Sequence, residues 1–158
     1  MNQDELLLKA AHFRAAIEAA RDAGEFIPQK SYLREPMDNF PSDCCDDAVD
    51  LFAHFLYHTF GIESMKVTGS YYSKRFKCTC YHTWQVFEDC VVDLTGDQFE
   101  NDTDIEIKTI PVYVGSMNAF HKQFENPRIE YSCGIECLWS RSHERMYRLY
   151  DAVMKHMK

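Results

Sequence analysis

YHTWQVFEDCVVDLTGDQF, residues 81 to 99, consists of two short β-branched and aromatic runs split by Glu88-Asp89. A two-residue polar link between such runs predicts a β-hairpin, YHTWQVF (81–87) against CVVDLT (90–95). A tight hairpin lays its strands side by side. His82, opening the first, can then meet Asp93 on the second. A carboxylate in that position fixes the tautomer of the imidazole and stabilises its charged form. The segment thus predicts a sheet and a candidate site together.

Outward from the hairpin, IESMKVTGSYY (62–72) reads as a preceding strand and IPVYVG (110–115) as a following one. Residues 3 to 23 carry Leu7, Ala10, Ala11 and Ile17 near helical spacing, and Gly24 is a stop signal. Pro28, Pro36 and Pro41 mark 25 to 43 as a loop. Residues 44 to 60 give a second helix, with Ala48, Leu51, Phe52, Phe55 and Leu56 on one stripe, Gly61 as its stop, and Ser42 or Asp43 as its N-cap. Residues 116 to 125 read as a short helix. Residues 141 to 157 read as a last one, with Met146, Leu149, Tyr150, Val153 and Met154 on one face. Helices, then antiparallel strands, then a closing helix imply an α+β fold. Helices pack on an antiparallel sheet within a single domain, 1–158. The loops 25–43 and 96–110 shape any pocket.

The chain has 158 residues, 46% of them hydrophobic, which suffices for a core without staples. A net charge of -8 with no basic cluster argues against a nucleic-acid partner. No apolar run reaches the roughly 18 residues of a membrane helix. The N-terminus, MNQDELLLKAAHF, has acids where a signal peptide needs positive charge. The expectation is a cytoplasmic protein with no membrane partner. Its seven cysteines, an odd number, are then free, metal-bound or catalytic.

NFPSDCCDDA (39–48) places Cys44 and Cys45 at the start of the second helix. Unpaired amides and the positive end of the helix dipole favour thiolate over thiol there. Cys45, within the first turn, is the better candidate. The same amides can hold an oxyanion. Asp43, Asp46 and Asp47 act in the opposite sense, because nearby negative charge raises a thiol pKa. On position alone, both cysteines also read as small buried apolar residues. His82 beside Trp84 likewise reads as a packed core histidine.

Taken in order, a helix-start Cys, a strand His-x-Trp and a strand Asp-Leu-Thr resemble the transglutaminase-like branch of the papain-type cysteine hydrolases. The matching residues are Cys45, His82 with Trp84, and Asp93 with Thr95. Residues 39 to 99 also resemble small bacterial proteins of that superfamily, with Phe-Pro before the Cys and Asp-x-Thr-x-x-Gln-Phe after the His strand. Thr83 stands where the family has Ala, and Cys44 leaves the register of the nucleophile open by one residue. The resemblance implies a transglutaminase-like core and a catalytic triad of Cys45, His82 and Asp93. It implies a thioester formed on a peptide, protein or small amide substrate, with no cofactor. Hydrolysis, deamidation and transamidation stay open. Gln98, or more weakly Asn39, would donate to the oxyanion, and Trp84 would shield the site or fill the core.

Two further readings compete. One is a non-catalytic peptide- or protein-binding module on the same fold. The other is a zinc protein using Cys78-x-Cys80 and Cys133-x-x-x-Cys137, although neither pair has Cys-x-x-Cys spacing. Ordinary reduced thiols are the simpler expectation for these four, and no metal is assigned. His54 and His58 stand at i, i+4 with no third ligand evident, and read as a half-exposed helix face. SRSHERMYR (140–148) reads as a solvated mixed-charge face.

Overall fold

Asn2 opens helix α1 (Gln3–Asp22) with a capping box, its side chain accepting from the Glu5 amide while Glu5 bonds back to the Asn2 amide. The computed structural model describes residues 1–28, 30 and 32–157. Gln29 and Ser31 of the expected loop 25–43, and Lys158 of the expected domain 1–158, lie outside the described residues. The apolar stripe of α1 differs in part from its predicted members. Leu6, Ala10, Phe13, Ala16, Ile17 and Ala20 are buried, whereas Leu7 points outward and Ala11 is only half-buried. Phe13 supplies the reason: its ring lies 5.2 Å from those of both Phe52 and Phe55 on the second helix, which sets the rotation of α1.

Helix α2 (Cys45–Phe60) buries the whole predicted stripe and ends on Gly61 in the left-handed region, φ 67°. Its start differs from expectation. Cys44, not Ser42 or Asp43, is the N-cap residue, and its side chain makes no capping hydrogen bond. Asp43 is turned away by its own backbone, φ 61°, and its carboxylate faces the Asn39 amide. Helix α3 (Ser140–Met154) buries Met146, Leu149 and Val153, with Tyr150 and Met154 half-buried against the same core.

Five strands form one antiparallel sheet: β1 (Ser64–Ser73), β2 (Cys78–Phe87), β3 (Cys90–Asp93), β4 (Tyr113–Gly115) and β5 (Glu125–Ser132), in the order β4-β3-β2-β1-β5. The Glu88-Asp89 hairpin is present, with Phe87 opposite Cys90. β2 begins earlier than expected, because Cys78–Cys80 pair with Tyr71–Ser73. His82 is therefore mid-strand rather than at its opening. β5 was not foreseen. The expected helix 116–125 reduces to a 3-10 turn, His121–Gln123, running into β5.

Strand alternation gives the sheet two apolar faces. Phe87, Val92 and Val114 pack with the helices. Val67, Trp84 and Val91 pack with Phe99, Ile105, Phe120 and Phe124 on the other side. Each aromatic side chain fully buried this way stabilises the chain by about 1.5–3 kcal/mol. No helix among the described residues is long and apolar enough to cross a membrane.

One ionic clamp ties the predicted loop to two helices. Arg145 of α3 forks onto Glu35 (Nε–Oε2 3.0 Å) and Asp47 (Nη1–Oδ1 3.0 Å), with a second bond to each carboxylate. The helix face around Arg145 is thus not solvated as the sequence suggested, because the chain had to bring cations to Glu35, which is 2% exposed. Breaking such a pair strands a buried charge. Arg145→Ala is expected to lower the unfolding free energy by about 3 kcal/mol. Arg145→Lys should restore only part of it, since one ammonium cannot fork onto two carboxylates. Urea denaturation of the three proteins measures both differences.

Candidate functional site

Asp93 ends β3, and its carboxylate is 1% exposed. One oxygen, Oδ1, accepts from the Thr95 amide at 2.9 Å. The other, Oδ2, accepts from His82 Nε2 at 2.7 Å and from His121 Nε2 at 3.1 Å. The β2–β3 register pairs Gln85 with Val92. His82 is therefore diagonal to Asp93 on one face of the hairpin, within reach for a ring and a carboxylate. The turn after β3 comes so close that a Cβ on Gly96 would lie 2.8 Å from Asp93 Oδ2 and 2.3 Å from Thr109 Cγ2. Only glycine leaves that space.

His82 is fully buried. Its ring is walled in by Phe99 at 5.0 Å, Phe124 at 5.1 Å, Trp84 at 5.7 Å and Phe120 at 5.8 Å between centroids. With Nε2 committed to Asp93, Nδ1 is the nitrogen left for chemistry. Gln98 Nε2 lies 3.3 Å from it and also donates to Thr95 O at 3.0 Å. The Cys45 sulfur lies near enough to the same imidazole to favour its charged form. A bond from the Gln98 amide to Nδ1 requires the neutral ring. The charged ring carries a proton on Nδ1 and cannot accept that bond.

The charges follow from this geometry. Burial opposes an imidazolium at His82, but the Asp93 carboxylate and the Cys45 sulfur outweigh it and hold the ring up to about 9. Burial likewise opposes the Asp93 anion, yet the charges and hydrogen bonds of His82 and His121 keep it well below the usual carboxylate range. Cys44 is 2% exposed, and burial, with Asp47 next, pushes its thiol far up. Cys44 thus sits in the core, while Cys45 is half-buried.

Of the acids around Cys45, Asp46, Asp47 and Asp50 are met by cations. Lys66 Nζ lies 2.8 Å from Asp50 and 3.2 Å from Asp46, and Arg145 holds Asp47. With no side chain capping α2, the first-turn amides stay free to face an anion.

The structure joins His82 to Asp93, sets Gln98 and Trp84 against His82, and leaves Cys45 near enough to influence the imidazole. Gln98 lies along the imidazole, its amide engaged by Thr95 O, and Asn39 faces Asp43 on the surface. Trp84 is 1% exposed and fills the core beneath the site, its indole Nε1 having no partner among the described residues. His121 went unnoticed in the sequence. It is 28 residues from Asp93, and its only local signal is Asn118, whose side chain fixes the ring by accepting from Nδ1 at 2.8 Å. A cavity of about 550 Å³ opens elsewhere, lined by Met1, Leu6, Phe87, Cys90 and Gly115, and none of Cys45, His82 or Asp93 reaches it.

The four other candidate thiols form no cluster. Cys78 and Cys80 face each other with sulfurs 3.9 Å apart. Cys133 and Cys137, expected as reduced thiols, are joined as a disulfide across Cα atoms 6.0 Å apart, because the 3-10 turn between them folds the chain back. No four-thiolate group occurs among the described residues.

Comparison with known protein families, curated proteins and solved structures finds no match to this chain.

The His82–Asp93 pair predicts a pH dependence. His82 is raised from 6.5 to about 9, so its contribution to stability is complete below 6.5 and fades as the pH rises through 9. Asp93 is depressed from 3.8, so its contribution is complete above that value and is lost as the pH falls. Urea denaturation should show stability declining between about pH 6.5 and about pH 9. His82→Asn should flatten that decline.

Proposed function

We propose that the chain is a cysteine-dependent hydrolase or acyltransferase built on a transglutaminase-like core, with Cys45, His82 and Asp93 as its triad. One observation carries the reading: a buried imidazole engages a carboxylate through Nε2, and the nearby sulfur of a helix-start cysteine favours the charged ring. Thiolate, proton carrier and orienting carboxylate stand in the order that nucleophilic catalysis needs.

Cys45 sulfur attacks the carbonyl carbon of an amide or acyl substrate. The carbon–oxygen π pair moves to oxygen, and free amides at the start of α2 hold that oxyanion. His82 hands its proton to the leaving amine, and a thioester remains. Water then gives hydrolysis or deamidation, and an amine gives transamidation, with His82 removing the acceptor's proton. Protonation of Nδ1 releases one Gln98 hydrogen, which is then free to serve the oxyanion. Asp93 keeps Nε2 protonated throughout, and His121 braces Asp93 as a positioning residue.

Limiting iodoacetamide at neutral pH, followed by peptide mapping, tests the reading. Cys45 should label at least about tenfold ahead of Cys78, Cys80 and Cys90. His82→Ala should remove that lead, and Asp93→Asn should shrink it. An activated ester should leave a single acyl group on Cys45 by mass spectrometry. Equal labelling with no acyl adduct would instead support a binding module.

A further inference from the structure

His54 and His58 stand one turn apart on α2, and their rings approach to 4.2 Å between centroids. Across from them lies Glu136, in the turn that joins β5 to α3. Glu136 Oε2 is 3.0 Å from His54 Nδ1, and Oε1 is 2.9 Å from His58 Nε2. His54 is buried, and only His58 is exposed as the sequence suggested for both. We propose that His54 Nδ1, His58 Nε2 and the Glu136 carboxylate form a binding site for a divalent transition metal of the zinc class, separate from the Cys45 centre and independent of its chemistry.

The donor set supports this assignment. Two imidazoles and one carboxylate suit zinc and its neighbours, whereas calcium and magnesium favour all-oxygen sites. One ligand atom from each residue lies within 4.8 Å of the other two. A tetrahedral ion bonded at about 2.0–2.2 Å needs such atoms about 3.3 Å apart. A small inward movement of the exposed His58 ring supplies the difference. Three protein ligands leave a fourth position open to water or another ligand.

The surroundings hold Glu136 in place. Tyr147 O–H donates to Glu136 Oε1 at 2.9 Å, an outer contact that orients a ligating carboxylate. The turn carrying Glu136 is closed by the Cys133–Cys137 disulfide. It lies directly on α2: Gly134 has φ 94°, and a Cβ there would sit 2.3 Å from His54 Cα. The chain thus presses this turn onto the helix at the first histidine. His54 stands nine positions beyond Cys45 on α2, about 14 Å along the axis, so an ion here binds far from the thiol.

His82, Asp93 and His121 make a second two-histidine, one-carboxylate group. There the Asp93 oxygens are already filled by three N–H donors, and every side chain is buried. That group therefore serves as the control.

The test uses the full chain, disulfide intact, treated with chelator and then dialysed, in a Cys78→Ser/Cys80→Ser background that removes the exposed thiol pair. Titration with zinc against a chromophoric chelator should give one ion per chain. Cobalt in its place should show a visible spectrum without intense thiolate charge transfer. His58→Ala and Glu136→Gln should each weaken binding at least about tenfold, and His121→Ala should leave it unchanged. His58 is exposed, so its variant should fold; circular dichroism checks that variant and the buried His121→Ala. Absence of stoichiometric binding in the parent overturns the proposal. So does affinity unchanged by both His58→Ala and Glu136→Gln, loss of binding in a His121→Ala protein with native circular dichroism, or a thiolate spectrum. Alkylation of Cys45, measured alongside, reports on the triad separately.

Discussion

The structure turns on a carboxylate that water cannot reach. An anion buried as Asp93 is costs several kcal/mol in lost hydration unless donors replace the water. Its donors come from three places: the Thr95 amide in the turn after β3, His82 on β2, and His121 from the segment before β5. The hairpin register, the tight turn at Gly96 and the return of the chain at residues 118–123 must all be correct at once for the charge to be satisfied. A misregistered sheet would leave an unpaired charge in an aromatic core, so the same contact that orients the imidazole also selects the fold.

A second set of charges governs the start of α2. Five acids, Glu35, Asp43, Asp46, Asp47 and Asp50, crowd this region. Arg145 and Lys66 take up four of them, and Asp43 turns outward. What remains at the helix start is a set of backbone N–H groups with no competing side chain. The imidazole of His82 is backed by the wall of Phe99, Phe120, Phe124 and Trp84. Electrostatic relief in one place thus clears an anion-holding position in another.

Much of this was legible in the sequence. The three helices follow from apolar spacing, the first two with a glycine stop as well, and the hairpin follows from its two-residue link. The meeting of His82 with Asp93 follows from their places on that hairpin. Other parts left no sequence signal. β5 buries only its last residue, so ENPRIEYS has no alternation to detect. The beginning of β2 is similarly exposed. The expected cap at Asp43 failed because a left-handed backbone turned that side chain away. Glu136 and His121 find their partners through long-range folding of turns, where no periodicity marks the position. Arg145 looked solvated because its partners lie about 100 residues away (separations of 98 and 110).

The sheet's two margins have a consequence for self-association. A bare margin is a template on which another chain can build. On one side β4 is only three residues long, and Gln3 of α1 covers it by donating to Val114 O at 3.2 Å. On the other, β5 carries Pro127, Arg128 and Glu130 and is bulged where it meets β1 between Thr68 and Ser70. A missing donor, outward charges and a kink interrupt the ladder that an incoming strand would need. The chain's aromatic richness is thereby kept from becoming a route to fibrous stacking.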